Sequence, residues 1–247
     1  TARRRRKSPP DPRPLPPHGS KPPGRQLHQR VKSAKGRKLS STLWLQRQLN
    51  DPFVAAAKAA GYRSRAAFKL EEMDDRFKFL GRRKRVLDLG AAPGAWTQLC
   101  LARCPEGEVF ALDINEMDPI PGAHVLQLDV FAENAVADLR KIIGGPVDVV
   151  LSDMAAPSTG HPQTDHLRIM ALCEAALDLA RHFLVPGGTF VAKVLQGGAE
   201  HSLLDQMKRD FRAVKHFKPK ASRSGSAEMY VVATGFRGSV AIEEELE

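Results

Sequence analysis

Apolar residues along this chain recur first at helical spacing and then in short, nearly continuous blocks. Leu43, Trp44, Leu45 and Leu49 predict a short helix. Asp51-Pro52 and Gly61 bracket a second, PFVAAAKAA, because Pro suits a first helical turn and Gly a helix end. Ser64 is placed to cap a third helix running to about Lys78, with Phe68, Leu70, Met73 and Phe77 on its apolar side. Thereafter strands are predicted at 85–89, 107–113, 124–128, 147–152 and 188–194, and helices at about 94–103, 133–142, 165–184 and 200–211. Such alternation implies an α/β fold, a parallel sheet with helices on both faces. VKHFKP and MYVVATGF are joined by a loop too short for a crossover helix, so they are expected to pair antiparallel at a sheet edge.

Composition divides the chain. Residues 1–50 carry 14 Lys/Arg against one acid, Asp11, whereas residues 51–247 carry 24 against 27. The basic character therefore belongs to a tail. Residues 1–38 are rich in Pro and Arg, nearly free of large apolar groups, and expected to be disordered alone. The expected divisions are that tail, a helical segment at 39–80, a main domain at 81–237 and an acidic end at 238–247. Cys100, Cys104 and Cys173 form no disulfide framework, and no His or Cys cluster completes a zinc site, so no metal is expected. No apolar run approaches the length of a membrane span. The Arg-rich start suits a transit peptide in composition, but its prolines oppose the amphipathic helix such peptides need. A bacterial-type cytoplasm is the expected compartment and a mitochondrial matrix the alternative; a monomer is the expected state.

The most informative stretch is residues 86–98, VLDLGAAPGAWTQ. It reads as a buried strand, a small-residue loop and a helix start, the place where open α/β sheets bind ligands. Ala92 and Ala95 break the dinucleotide fingerprint, and no Lys-Ser/Thr pair follows Gly94 as in a P-loop. The stretch resembles the first motif of methyltransferases that use S-adenosylmethionine. That resemblance makes Gly90, Ala91, Ala92, Pro93 and Gly94, with Trp96 just beyond, the expected cofactor loop. Asp113, at the tip of EVFALDI, is placed to accept both ribose hydroxyls. Asp129, at the tip of HVLQLDV, is placed to hold the adenine amino group. Asp88 is expected to partner the loop amides.

Asp153 ends the strand VDVVLSD and Lys193 ends TFVAK. A lysine at the carboxyl end of a buried-type strand is costly without a partner or a task. Together SRAAFKL, VLDLGAAPGAWTQ, LSDMAAPSTGH, FVAKVLQG and SAEMYVVATGF resemble the FtsJ/RlmE family of ribosomal RNA 2′-O-ribose methyltransferases, over about residues 36–237. The resemblance implies a Rossmann-like, seven-stranded methyltransferase sheet with an antiparallel last strand, and S-adenosylmethionine as cofactor. It implies a catalytic tetrad at Lys69, Asp153, Lys193 and Glu228, with Asp153 also near the cofactor. Lys193 is then the base or orienting group for the ribose hydroxyl, and a second ammonium at Lys69 favours its neutral form. One departure is Ala95, where the family has Gly; Ala is acceptable there only at negative φ.

The resemblance also implies a uridine of large-subunit ribosomal RNA as target, in the assembled or nearly assembled subunit. Expected RNA contacts are Arg37 and Lys38 in the tail, Arg63 and Arg65 before the third helix, and Lys218 and Lys220 before the last strand, with Lys215 and Arg223 near them. Alternatives are ribose methylation of transfer RNA, a messenger cap or mitochondrial ribosomal RNA, and a non-catalytic ribosome assembly factor. The intact tetrad argues against the last. The loop at 90–94 argues against a nicotinamide dehydrogenase. His161 and His166, without an acid-rich set nearby, are read as loop or capping residues.

Overall fold

A computed structural model describes residues 30–31, 36, 39–195, 201–223 and 225–238. The rest of the tail, with Arg37 and Lys38, and residues 239–247 lie outside the described residues. The chain forms two compact units that divide between Gly61 and Tyr62. The first contains α1 (Leu39–Leu49) and α2 (Pro52–Ala60). Asp51 caps α2 by accepting from the Phe53 N–H, Pro52 opens it, and Gly61 closes it in the left-handed conformation, as the sequence predicts.

The second unit begins with α3 (Ala67–Phe77). Its N-cap is Ala66, with no side-chain cap; Ser64 instead accepts from the Ala66 N–H in a turn one step earlier. Leu70 and Met73 of α3 pack with Val86, Trp96, Leu99 and Tyr230. This helix therefore shares the core of the sheet, and a division at residue 80 does not describe the packing.

The sheet and its covering follow in chain order: β1 (Arg85–Leu89), α4 (Ala95–Arg103), β2 (Glu108–Asp113), β3 (Ala123–Gln127), α5 (Ala135–Ile143), β4 (Val147–Ser152), α6 (Pro162–Phe183), β5 (Leu184–Leu195), α7 (His201–Asp210), β6 (Phe211–Phe217) and β7 (Glu228–Phe236). Spatial order is β3-β2-β1-β4-β5-β7-β6. β1 pairs parallel with both β2 and β4, so the order reverses between β1 and β4. Ligands of such sheets bind in the crevice that opens at this reversal. Alternation along β1 explains the two cores: Val86 joins the α3–α4 side, while Leu87 and Leu89 join α6 and its neighbours.

The last two strands pair antiparallel as expected, but their hairpin is not simply appended. β7 lies between β5 and β6, antiparallel to both, leaving only β6 at the edge. This placement sets Tyr230 opposite Lys193 and Glu228 opposite Leu195.

Candidate active site

The loop after β1 is held by backbone. Gly90 and Ala91 donate to the Leu112 carbonyl at 2.8 and 3.0 Å, and Ala92 donates to Asp113 Oδ2 at 2.9 Å. Gly90 has φ +73°, and a Cβ there would stand 2.7–2.8 Å from Met154. Gly94 has φ +106° and lies under Ile120 and Met117. Ala95 opens α4 at negative φ, because Lys78 is the sole positive-φ residue other than glycine among those described. Alanine at this position is therefore unstrained.

Beside this loop lies a cleft of about 640 Å³. Gly90, Ala92, Asp113, Asp129 and Asp153 line it, with Asn115, Arg168 and apolar walls from Leu128, Val130, Met154 and Leu172. Ile114 and Phe131, both exposed, stand at its side. Four expected cofactor residues do not line it. Ala91 packs with Met117 and Ile120, Pro93 is exposed, and Gly94 is covered as described. The Trp96 side chain is buried, donates to the Ala66 carbonyl at 2.8 Å and stacks at a tilt on Tyr230. Trp96 ties α4 to the start of α3; its side chain does not face the cleft.

Asp113 has more structural work than the sequence suggests. Besides Ala92 it accepts from Asn115 N and Nδ2, at 2.8 and 2.9 Å. A carboxylate offers about four acceptor sites. Three are in use, so in this arrangement Asp113 accepts one further hydroxyl rather than two. Asp129 accepts from the Phe131 N–H at 3.0 Å, which pins the turn after β3.

Asp88 departs from expectation. It does not hold the loop amides; fully buried on the α4 side of β1, it accepts from Thr97 Oγ1 at 2.7 Å. Its Oδ1 has no partner. Burial pushes its pKa up to about 7; bonds from Thr97 oppose this, and the charges of Asp153 and Asp113 add to it.

The tetrad residues converge from α3, β5, β7 and the end of β4. Lys193 Nζ lies 2.8 Å from Asp153 Oδ1 and donates to the Asp153 carbonyl at 2.8 Å. Lys69 Nζ meets Glu228 Oε1 at 2.7 Å and Oε2 at 2.9 Å. The residue the sequence reading missed is Tyr230, which joins the two pairs. Its hydroxyl accepts from Lys69 at 3.2 Å and donates to Asp153 Oδ1 at 2.7 Å. The available signal was period two along β7: Tyr230 follows Glu228 by two, so both side chains share a face. Burial pushes the Asp153 carboxyl upward, but the charges of Lys193 and Lys69 and the bonds from Lys193 and Tyr230 outweigh it, leaving the pKa below the usual range. Burial, and then the charges of Asp153 and Glu228, push the Tyr230 phenol well above its ordinary value.

The two lysines differ in what they have left to give. An ammonium has three donors. Lys69 spends them on both Glu228 oxygens and Tyr230, whereas Lys193 shows two partners, both on Asp153. Asp153 also borders the cleft, so the amine with spare donor capacity is the one held by a cleft residue.

Three residues expected to face RNA are engaged within the protein. Arg63 donates to the carbonyls of Pro93, Asp118 and Pro119 at 2.8–2.9 Å, stapling the loop at 90–94 to the segment after β2. Arg65 donates to the Ala221 carbonyl, and Lys218 to the Ser226 carbonyl at 2.8 Å. Lys215 and Lys220 are exposed. His161 starts α6 without a side-chain cap bond. Asp165, inside the first turns of α6, ties down the preceding loop by accepting from Ser158 and Thr159, and those bonds hold its pKa down at about 2.

An acid-lined cleft at a sheet reversal, joined to a half-buried Lys-Asp-Lys-Glu set, defines a Rossmann-like group-transfer enzyme. The FtsJ-like methyltransferase family model matches residues 62–236. Ribosomal RNA large subunit methyltransferase E of Paramagnetospirillum magneticum is 61% identical over 229 residues, 90% of this chain and 94% of that protein. The protein of the same name from Parvibaculum lavamentivorans is 57% identical over 225 residues, 87% of this chain and 89% of its own. Among solved structures, a ribosomal RNA methyltransferase of Plasmodium falciparum superposes with a TM-score of 0.65 at 32% identity, covering 72% of this chain and all of that one. The chain belongs to the FtsJ-like methyltransferase family.

Proposed function

We propose that this enzyme transfers a methyl group from S-adenosylmethionine to the ribose 2′-hydroxyl of a uridine in large-subunit ribosomal RNA, with the assembled or nearly assembled subunit as substrate. The observation that carries this reading is the junction at Asp153, which borders the cofactor-sized cleft and holds Lys193. The names of relatives at 53–61% identity support large-subunit ribosomal RNA as the substrate class.

The residues of the cleft fit the cofactor. Asp113 has acceptor capacity for a ribose hydroxyl, Asp129 borders the space beyond it, and the apolar walls suit an adenine ring. When bound, S-adenosylmethionine supplies an electrophilic methyl group. Lys193 presents its spare donor to the ribose oxygen, orients that oxygen's lone pair toward the methyl group and stabilises the negative charge left as the hydroxyl proton passes to water during O–C bond formation. Asp153 fixes the position of Lys193 through two contacts, and Tyr230 limits how Asp153 can turn. Lys69, saturated by Glu228 and Tyr230, adds positive charge beside Asp153 without touching the reacting oxygen. Exposed Lys215 and Lys220, with the basic tail, add RNA affinity that depends on salt.

The test is tritium transfer from labelled S-adenosylmethionine to intact large subunits and to naked RNA, followed by nuclease mapping. Label in one ribose of the large-subunit RNA is the expected result. Label in bases, or preferentially in transfer RNA, overturns the substrate assignment.

A further inference from the structure

The turn between β6 and β7 is held in an unusual way. Glu72 of α3 accepts from the backbone N–H of Lys220 at 2.6 Å and of Ala221 at 2.8 Å, one carboxylate oxygen for each. Arg65 donates to the Ala221 carbonyl, and the Ser222 N–H closes back on the Pro219 carbonyl at 2.9 Å. The result is a short turn whose backbone is clamped from α3 while the Lys220 side chain faces solvent. Ser222 is buried, and its hydroxyl donates to Glu228 Oε1 at 2.9 Å. That oxygen also lies 2.7 Å from Lys69 Nζ. Glu72 follows Lys69 by three residues, so clamp and lysine ride on one side of α3.

We propose that Ser222 and Glu72 are positioning residues for methyl transfer. Ser222 fixes the rotation of the Glu228 carboxylate against Lys69, and Glu72 fixes the turn that carries Ser222. Without the hydroxyl, Glu228 keeps Lys69 as a partner but loses the contact that selects one rotamer. Lys69 then shares its donors differently with Tyr230, and the constraint on Asp153 and Lys193 loosens. Without the Glu72 clamp, the turn drifts and the same bond lengthens. The two residues act in series, so their effects do not multiply. The reaction named here rests on the function proposed above.

The test uses the full chain and labelled S-adenosylmethionine with large subunits. Ser222→Ala is expected to lower kcat about tenfold, the size of one hydrogen bond to a charged group. KM for subunits and cofactor affinity are expected to stay within about twofold. Ser222→Thr, which keeps the hydroxyl, restores most of the rate. Glu72→Gln lowers kcat similarly, and the double variant is no slower than the slower single one. Unchanged kcat in Ser222→Ala, a loss confined to KM, or multiplying losses overturns the proposal. Hydrogen exchange at the Lys220 and Ala221 amides reads the clamp without turnover. Protection in the wild type that is lost in Glu72→Gln supports it, and unprotected wild-type amides overturn it. If the wild type transfers no methyl to RNA while these amides are protected, the function proposed above fails and the clamp stands.

Discussion

On the β1–β3 side of the cleft, position is set by backbone. Gly90, Ala91 and Ala92 are tied to the end of β2 by main-chain donors, and glycine supplies the conformations no other residue adopts without strain. On the β4–β7 side, position is set by charge. Lys69, Asp153, Lys193 and Glu228 have little freedom because each is the principal partner of another, with Tyr230 between the pairs. The difference matches the work proposed for each side. A cofactor that must enter and leave needs a preformed cradle with unspent acceptors, whereas a reacting hydroxyl needs an amine that does not move. Damage on the first side should therefore read out as lost cofactor affinity, and damage on the second as lost kcat.

The most severe test of that division is Lys193→Ala. It removes the donor that the proposed mechanism gives to the ribose oxygen, and Lys193 does not itself line the cleft. A fall in kcat of roughly 10²–10³ is expected, with cofactor affinity unchanged by calorimetry. Near-normal turnover would remove Lys193 from the mechanism. Gly90→Ala tests the other side. It forces an L side chain to φ +73° and sets a methyl 2.7–2.8 Å from Met154. Strain of about 1–3 kcal/mol is expected, appearing as a lower Tm and a cofactor affinity reduced about tenfold or more, with kcat at saturation largely kept. A kcat collapse at full cofactor occupancy would show that the two sides are not separable.

Tyr230→Phe sharpens the comparison at its seam. The ring keeps its place on Trp96, and only the hydroxyl between Lys69 and Asp153 is lost. The expected result is a kcat about tenfold lower, because hydrogen bonds to charged groups are worth about 1.5–3 kcal/mol, with subunit KM and cofactor affinity retained. A wild-type rate would mean that the two ion pairs hold themselves without the bridge.

The same contrast explains what could be read in the sequence. The β1–β3 side was legible because a loop of small residues at a strand tip is a local pattern, and strands 85–89 and 147–152 stand where apolar runs put them. The tetrad was legible only as a set of matching motifs, since α3, β4, β5 and β7 meet through the sheet order and not through spacing. Tyr230 escaped because a tyrosine inside an apolar strand reads as packing until its hydroxyl is seen between two charges. That Arg63 and Arg65 hold the fold was hidden for a similar reason. A guanidinium that staples distant carbonyls, Asp118 for one and Ala221 for the other, has the same sequence signature as one facing a phosphate. The division at residue 80 failed because the Leu70 and Met73 pattern on α3 says that one face is buried, but not against what.

Asp88 supplies the gentlest test, since it stands on β1 just before the loop at 90–94, bonds Thr97 of α4 and does not line the cleft. Its folded-state pKa of about 7 lies above the ordinary carboxylate value. Between those values the folded chain keeps a proton that the unfolded chain has released. Stability is therefore full below the unfolded pKa, falls as pH rises through about 7, and levels off beyond it. Asp88→Asn keeps an acceptor for Thr97 Oγ1 and removes the buried charge. Its Tm should match the wild type near pH 4 and exceed it by several degrees at pH 8, with kcat and cofactor affinity little changed. A constant Tm difference across that range would mean the carboxyl does not titrate between the two states. A large loss of cofactor affinity would mean that the charge under the loop, and not the backbone above it, shapes the cradle.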